Sequence, residues 1–302
     1  MDINWIKILG LIVTPIIAFF TGALYGGLAR VVTARIQNRF GPPVWQNLFD
    51  IIKLYSKKTS IHHGVMQHLG PVWAITASTT TLLFIPILRD STFFANLSFD
   101  GDLIFLMYIM VFGSLGMALG AGQTGNPNSA IGVSRGLSQL VGYKVPFILS
   151  LVALMIQFQT TNLNDLLAVQ DSFIHWNIFQ SPFAFLAGIL AFLGMMGYKP
   201  FDIVFAPAEI ASGPPSEFGS KYLGMMLTSR SIFTFAKLVL FVNLFFGGAD
   251  NIFILLIKTF LLYMIPLLIG IVNPRFRTEQ AVRFFWGFPT AFGIIAVILA
   301  AW

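Results

Sequence analysis

Long apolar runs recur along the whole chain, and this feature constrains the fold most strongly. A transmembrane helix needs about 20 predominantly apolar residues, because the hydrocarbon core of a bilayer is about 30 Å thick. Runs that approach this length cover residues 5–28, 71–88, 103–122, 137–158, 182–198, 228–246, 252–272 and 284–302. The second and fifth runs are short. The pattern predicts an all-α polytopic membrane protein with about eight transmembrane helices.

Composition supports a lipid environment and excludes several kinds of cofactor. Only 10% of the residues are charged, whereas soluble domains carry roughly 25%. The absence of cysteine excludes disulfides, cysteine-ligated iron–sulfur clusters and cysteine zinc sites. The spacing of His62, His63 and His68 is irregular and lacks acidic partners, which favours a surface role over metal binding. We therefore expect no catalytic residues, bound cofactor or metal in this chain.

The distribution of positive charge predicts the orientation. Most of the 18 lysines and arginines lie in alternate connections between the apolar runs, and loops rich in these residues stay in the cytoplasm. We expect one integral membrane domain over residues 1–302 with both termini on the outer side. The predicted cytoplasmic loops are residues 29–70, 123–136, 199–227 and 273–283.

A basic stretch follows the first run and turns at Gly41-Pro42-Pro43, a corner that cannot continue a helix. Arg35 and Arg39 are four residues apart and would share one face of a helix. Beyond the corner, helical spacing relates Trp45, Leu48, Phe49, Ile52 and Tyr55. This segment of about 15 residues is too short to span, so it predicts an interfacial amphipathic helix. The stretch is either a cationic membrane anchor or a docking platform for a cytoplasmic partner, and the spans argue against a nucleic-acid partner.

The second polar segment, residues 198–222, carries three acids: Asp202, Glu209 and Glu217. Loops of this length are usually functional or disordered, and the apolar residues around Asp202 argue against disorder. Glu209 has an apolar neighbourhood. It is either a solvated loop acid, the favoured interpretation, or a proton-relay group with a raised pKa.

Three motifs together carry a resemblance that covers nearly the whole chain. They are "RIQNRFGPPVWQNLFDIIKL" (35–54), "PFDIVFAPAEIASGPPSEFG" (200–219) and "NPRFRTEQAVRFFWGFP" (273–289). Because these three motifs occur in this order, the chain resembles subunit 1 of respiratory complex I (the NuoH type) and its relatives in membrane-bound hydrogenase and sulfane reductase complexes. The short Gly-Pro-Pro corner is similar to the hydrogenase-type branch.

The resemblance implies a non-catalytic membrane subunit of an oxidoreductase complex in a prokaryotic cell membrane. Such complexes take electrons from ferredoxin and use the released energy to move H⁺ or Na⁺. The implied partners are peripheral iron–sulfur subunits that hold the clusters, a large NiFe hydrogenase-like subunit, and antiporter-like membrane subunits. The residues that would contact the peripheral arm are Arg35, Arg39, Asp50, Lys53, Arg135, Arg275 and Arg277.

The chain departs from the family pattern at acidic positions. Non-acidic residues stand at five positions where the family has acids: Lys58, Lys144, Met195, Phe205 and Pro207. The candidate ion path or coupling residues are Asp202, Glu209, Glu217, Lys144 and Lys258. Because a charged lysine inside a bilayer requires a partner, we expect Lys144 to form an ion pair with Glu209 or Asp202. For Lys237, either snorkelling or pairing is expected.

Two alternatives remain open. One is the quinone-chamber subunit of NADH:quinone oxidoreductase proper, against which the short corner and the lost acids argue. The other is a stand-alone secondary transporter, which would contain an internal repeat with paired broken helices.

Overall fold

The computed structural model describes residues 5–59, 64–89, 91–94 and 96–302. His62 and His63, which are candidate metal ligands by residue type, lie outside these ranges. Within the described residues the regular secondary structure is helical. The helices are α1 (Trp5–Ile36), α2 (Gln46–Ser56), α3 (Val65–Leu83), α4 (Asp102–Gly122), α5 (Pro127–Phe158), α6 (Leu163–Ala168), α7 (Asn177–Gln180), α8 (Pro182–Met196), α9 (Pro207–Ile210), α10 (Ser220–Phe245), α11 (Ile252–Val272), α12 (Thr278–Trp286) and α13 (Phe288–Ala301), with short 3₁₀ turns at Phe173–His175 and Pro214–Glu217.

Each predicted apolar run lies on a helix, which confirms the all-α membrane fold. Among the described residues, six segments have the length and composition of a span: α1, α4, α5, α10, α11 and the joined segment Thr278–Ala301. The other two runs are the short ones. One forms α8, an apolar helix of 15 residues, and the other forms α3, which starts six residues early and ends before Pro86.

Small residues allow the helices to approach closely. A Cβ atom added to Gly22 of α1 would lie 2.0 Å from the carbonyl oxygen of Ser231 in α10. A Cβ atom added to Gly70 of α3 would lie 2.5 Å from the carbonyl oxygen of Gly116 in α4. Glycine therefore permits both crossings, as is common where packing rather than the hydrophobic effect joins helices in lipid.

The helices form one bundle with two centres of packing. Helix α10 packs against α1, α2, α3 and α11, while α5 packs against α4, α8, α12 and α13. Side chains of α10 such as Phe235, Leu238 and Phe241 are almost fully buried. These two helices position the polar segments that connect their neighbours.

Helix α2 has the predicted amphipathic character, with its polar face turned toward the protein. The Asn47 side chain donates to the carbonyl oxygen of Ala23 at 3.2 Å, and the Asp50 carboxylate lies 3.3 Å from the guanidinium of Arg30; both partners belong to α1. The apolar side chains of Phe49 and Ile52 are 61% and 64% exposed. An outward apolar face on a helix too short to span is typical of a helix lying at the membrane interface.

The prediction that Arg35 and Arg39 share a helix face is wrong. Helix α1 ends at Ile36, and Asn38 adopts a left-handed backbone conformation with φ of 54°. The backbone NH of Arg39 donates to the carbonyl oxygen of Ala34 at 2.7 Å, which closes the turn. The helical geometry ends before Arg39, so the side chains of Arg35 and Arg39 do not share a helix face.

Candidate functional site

Two arginines and two carboxylates form a cluster at one end of the bundle. Arg275 places one guanidinium nitrogen 3.2 Å from an Asp202 carboxylate oxygen and another 3.3 Å from a Glu209 oxygen. Arg135 lies 2.7 Å from the other Glu209 oxygen. The cluster joins α5, the segment before α12, and residues 197–219, which we call the acidic loop.

Buried packing holds the acidic loop in place beside the arginines. Phe201, next to Asp202, is 2% exposed, and its ring centroid lies 4.6 Å from that of Phe285. The Gln139 side chain donates to the carbonyl oxygen of Phe201 at 2.7 Å. The backbone NH of Phe276 donates to the carbonyl oxygen of Pro200 at 2.9 Å. The loop is therefore an ordered part of the bundle, and Asp202 is directed at Arg275.

Glu209 forms ion pairs with both arginines of the cluster. The hydrogen bond from Arg135, followed by that from Arg275, holds the pKa of Glu209 below its ordinary value. The raised pKa that would suit a proton relay at neutral pH is therefore wrong for this residue. Its side chain is half exposed, as expected of a loop acid, but it is fixed by two cations.

The third acid of the loop, Glu217, lies among different partners. Its carboxylate accepts a hydrogen bond from the Asn126 side chain, and its backbone carbonyl accepts one from Gln67 at 2.9 Å. These contacts connect the acidic loop to the beginnings of α3 and α5. The structure thus brings Asp202 and Glu209 to one cluster, while Glu217 is engaged beside it.

A chamber of about 720 Å³, lined by both charged and apolar residues, opens beside the cluster between α1, α2, α10, α11 and the acidic loop. Two carboxylates line it, those of Asp50 and Asp202. Four cationic side chains line it as well, namely Arg30, Arg39, Lys199 and Arg230. Arg230 was not among the predicted site residues, although a cation at the third position of the apolar run 228–246 was a usable signal.

A smaller cavity of about 220 Å³ lies between α4, α5 and α10. It is mostly apolar, with Tyr143 and Lys237 among its lining residues. Phe205 and Arg230 line both cavities, and the Arg230 guanidinium lies 5.0 Å from the centroid of the Phe205 ring. This contact forms part of the boundary between the two spaces.

The predicted ion pair of Lys144 with Glu209 or Asp202 is wrong. Lys144 is 7% exposed, and its ammonium nitrogen lies 3.3 Å from the carbonyl oxygen of Met107. Among the described residues no carboxylate lies within 4 Å of it. The reason is distance along α5, since Glu209 pairs with Arg135, which lies nine residues, or roughly 14 Å, before Lys144. Both acids remain at the loop end with the arginines.

The other two lysines of the bundle also contact carbonyl oxygens. Lys258 donates to the carbonyl oxygens of Phe246 and Gly248 at 2.8 and 2.7 Å. These residues follow the end of α10, so Lys258 lies at the end of the bundle opposite the acidic loop. Lys237 donates to the carbonyl oxygen of Met195 at 2.6 Å and to no described carboxylate. Of the five candidate ion-path residues, only Asp202 and Glu209 therefore share a cluster, while Glu217, Lys144 and Lys258 each have other partners.

The residues predicted to contact a peripheral arm fall into three groups. Arg135, Arg275 and Asp50 form ion pairs within the chain, the last with Arg30 at 3.3 Å. Arg39 hydrogen-bonds Gln37 and lines the chamber. The other three are exposed and have no carboxylate within 4 Å in the described part of the chain; they are Arg35, Lys53 and Arg277.

No described residues offer an obvious place for a metal, since no three His, Asp or Glu side chains of the described ranges gather at one point. The fold and site together define a class of protein. It is a multi-pass helical membrane protein whose polar connections close over a charged chamber at one end of the bundle.

Comparison with known proteins identifies the family. Residues 6–301 match the family model described as NADH dehydrogenase, so the chain belongs to that family. The H-type subunits of NADH-quinone oxidoreductase from Bacillus thuringiensis (strain Al Hakam) and from Bacillus cereus (strain AH187) are each 27% identical over 94% of this chain and 90% of the relative. A chain of the membrane-bound sulfane sulfur reductase, an archaeal respiratory membrane complex, superposes with a TM-score of 0.90 and 33% identity over 97% of this chain and 99% of that one.

Proposed function

We propose that this chain is the membrane subunit of a complex I-like, ferredoxin-linked ion-pumping complex of the sulfane reductase or membrane-bound hydrogenase type. It anchors a peripheral iron–sulfur arm and couples electron transfer to translocation of H⁺ or Na⁺. The observation that carries the proposal is the full-length likeness to the sulfane reductase chain, at 33% identity and a TM-score of 0.90. The identity to the quinone-linked subunits is lower, at 27%, which makes the quinone-chamber alternative the less supported one.

We propose the three kinds of partner that the family resemblance implies. The clusters belong to peripheral subunits, the large subunit is of the NiFe hydrogenase-like kind, and antiporter-like subunits adjoin the bundle in the membrane. The location is a prokaryotic cell membrane with both termini outside, since the cation-rich end faces the cytoplasm under the positive-inside rule. A stand-alone transporter gains no support from relatives that are subunits of complexes.

The proposed docking surface consists of the predicted contact cations that are exposed, lie outside the chamber and have no carboxylate within 4 Å among the described residues. Arg35, Lys53 and Arg277 are exposed, and they lie on three segments around the acidic loop. Arg135 and Arg275 are neutralised by Glu209 and Asp202, so they fix the shape of this end. An acidic partner surface complements the three free cations, because complementary charge steers and orients association.

Co-purification tests both parts of the proposal. A tagged wild-type chain extracted from its native membrane should bring down iron–sulfur and antiporter-like subunits, identified by mass spectrometry and iron content. The triple variant R35A/K53A/R277A should lose the iron-containing subunits and keep the membrane subunits. Lys7→Ala, which removes a cation near the other end of α1, is the matched control and should retain everything.

The outcomes separate the claims. Recovery of the wild-type chain alone as a functional single subunit would overturn the proposed complex. A triple variant that retains the whole peripheral arm would overturn the docking surface while leaving membership of the complex intact.

A further inference from the structure

We propose that the chamber beside the acidic loop binds the headgroup of an anionic phospholipid. The chemistry of recognition is a phosphate group held by guanidinium and ammonium donors. The proposal concerns this chain alone and goes beyond its role in electron-transfer coupling. Basic pockets between transmembrane helices on the cytoplasmic side are a recurrent way to bind anionic lipid headgroups.

The chamber carries positive charge that the protein leaves uncompensated. Of its four cations, Arg30 is paired with Asp50, and the Asp202 carboxylate is engaged by Arg275. The other three, Arg39, Lys199 and Arg230, have no carboxylate within 4 Å among the described residues. Arg230 contacts the face of the Phe205 ring. Both lining carboxylates are paired with arginines, so the recess keeps an excess of positive charge, and such an excess concentrates anionic ligands.

Helix α2 sets the depth of the chamber in the membrane. Its Asn47 and Asp50 side chains line the chamber, whereas Phe49 and Ile52 on its outer face are exposed. An amphipathic helix of this kind lies at the boundary between headgroups and acyl chains. The chamber wall is therefore at the level where lipid phosphates lie.

The rest of the lining suits an amphiphile better than a free anion. Apolar side chains share the wall with the cations, among them Phe40, Ile51, Leu267 and Ile271. The volume of about 720 Å³ is within the range of roughly 300–1,000 Å³ of small-molecule sites. A neutral ring in this space would leave the three cations unpaired, whereas a phosphodiester accepts several charge-assisted hydrogen bonds.

Native mass spectrometry of the purified full-length chain tests the proposal. The chain is mixed with equal amounts of phosphatidylglycerol and phosphatidylcholine, and the retained lipid is counted. We expect a preference for phosphatidylglycerol of about tenfold or more, because each nearby cation strengthens anionic lipid binding several-fold. R39Q and R230Q should each reduce this preference about fivefold. K53Q removes a cation of α2 that does not line the chamber and should leave it unchanged.

The exposed position of Lys199 gives a further variant, K199Q, that should leave the fold intact and act in the same direction. Equal retention of the two lipids by the wild type would overturn the proposal, as would an unchanged preference in all three chamber variants. In a second arm, inorganic phosphate and phosphatidylglycerol vesicles are compared for protection against thermal unfolding. Protection by phosphate alone would assign the chamber to a free anion and overturn the lipid.

Discussion

Charge is used differently at the two levels of this bundle. At the loop end, Arg135 and Arg275 meet Glu209 and Asp202 directly, with nitrogen–oxygen distances of 2.7–3.3 Å. Within the bundle, Lys144 meets a backbone carbonyl and the face of the Phe147 ring, 5.6 Å from its centroid. Opposite charges therefore fasten a surface loop, while the buried cation depends on weaker dipolar partners.

This difference shows that the described acidic side chains do not continue from the acidic loop to the lysines inside the bundle. Asp202 and Glu209 are held by arginines at the loop end, and no described carboxylate lies within 4 Å of Lys144 or Lys237. A lysine inside a bilayer faces protein or water and marks a functional candidate. In the described residues the interior cations are thus separate from the acids of the loop, and each group can be altered without removing the partner of the other.

Removal of Arg275 should have the largest effect. Arg275→Ala leaves Asp202 and Glu209 as adjacent carboxylates without their shared cation. The side chains of Arg275 and Asp202 are 16% and 23% exposed. Breaking a fully buried pair costs roughly 3–5 kcal/mol, and this partial exposure reduces the value, so we expect about 2 kcal/mol. The measurements are the apparent thermal midpoint and the rate of proteolysis within residues 197–219.

Arg277→Ala is the matched control, since Arg277 lies two residues away, is exposed and has no carboxylate within 4 Å in the described chain. It should change stability by less than about 0.5 kcal/mol. Equal effects of the two substitutions would show that the cluster does not hold the loop, and the contrast between the two levels would fail.

The pH dependence of Glu209 should give the next largest effect. Glu209→Gln removes a carboxylate whose pKa is lowered in the folded state by Arg135 and Arg275. A lowered pKa stabilises the fold above the unfolded-state value of about 4.3 and loses this contribution as pH falls through the folded-state pKa. The wild type should therefore exceed E209Q in thermal midpoint by a constant margin from pH 6 to 8, and the margin should vanish in acid.

Glu209→Asp, which keeps the charge but shortens the reach, should keep part of the margin. A margin between wild type and E209Q that changes across pH 6–8 would indicate a group titrating near neutrality. That result would return Glu209 to the role of proton relay and break the assignment of the loop acids to fastening.

The sequence predicted the membrane fold well, for reasons visible in single elements. Helix α2 was predictable because Trp45, Phe49 and Ile52 repeat at helical spacing after a Gly-Pro-Pro corner. The spans were predictable from length and apolar composition. The position of Arg39 relative to Arg35 was not predictable. A spacing of four residues places two side chains on one face only within a helix, and the left-handed residue Asn38 ends the helix before Arg39.

Partners of charged residues were the least predictable part of the site. Arg275 and Asp202 are 73 residues apart, and their pairing depends on how α11 and α12 return the chain to the loop. Lys144 was expected to meet one of these acids because a buried cation requires compensation. The expectation omitted the nine residues, or roughly 14 Å of helix, that separate Lys144 from Arg135, the partner of Glu209.

The smallest effect is expected from replacing Lys144 by methionine. Met has a similar length and volume and no charge to desolvate, and the substitution gives up one hydrogen bond of 3.3 Å to Met107. Apolar replacement of buried charge is often neutral or stabilising, so K144M should shift stability by less than about 1 kcal/mol in either direction. Lys144→Glu is the contrasting variant, because it buries a carboxylate in the same space and should destabilise strongly. The thermal midpoints of both variants are compared with that of the wild type. A large decrease in the midpoint of K144M would mean that Lys144 has a strong partner. The interior of the bundle would then use charge as the loop end does.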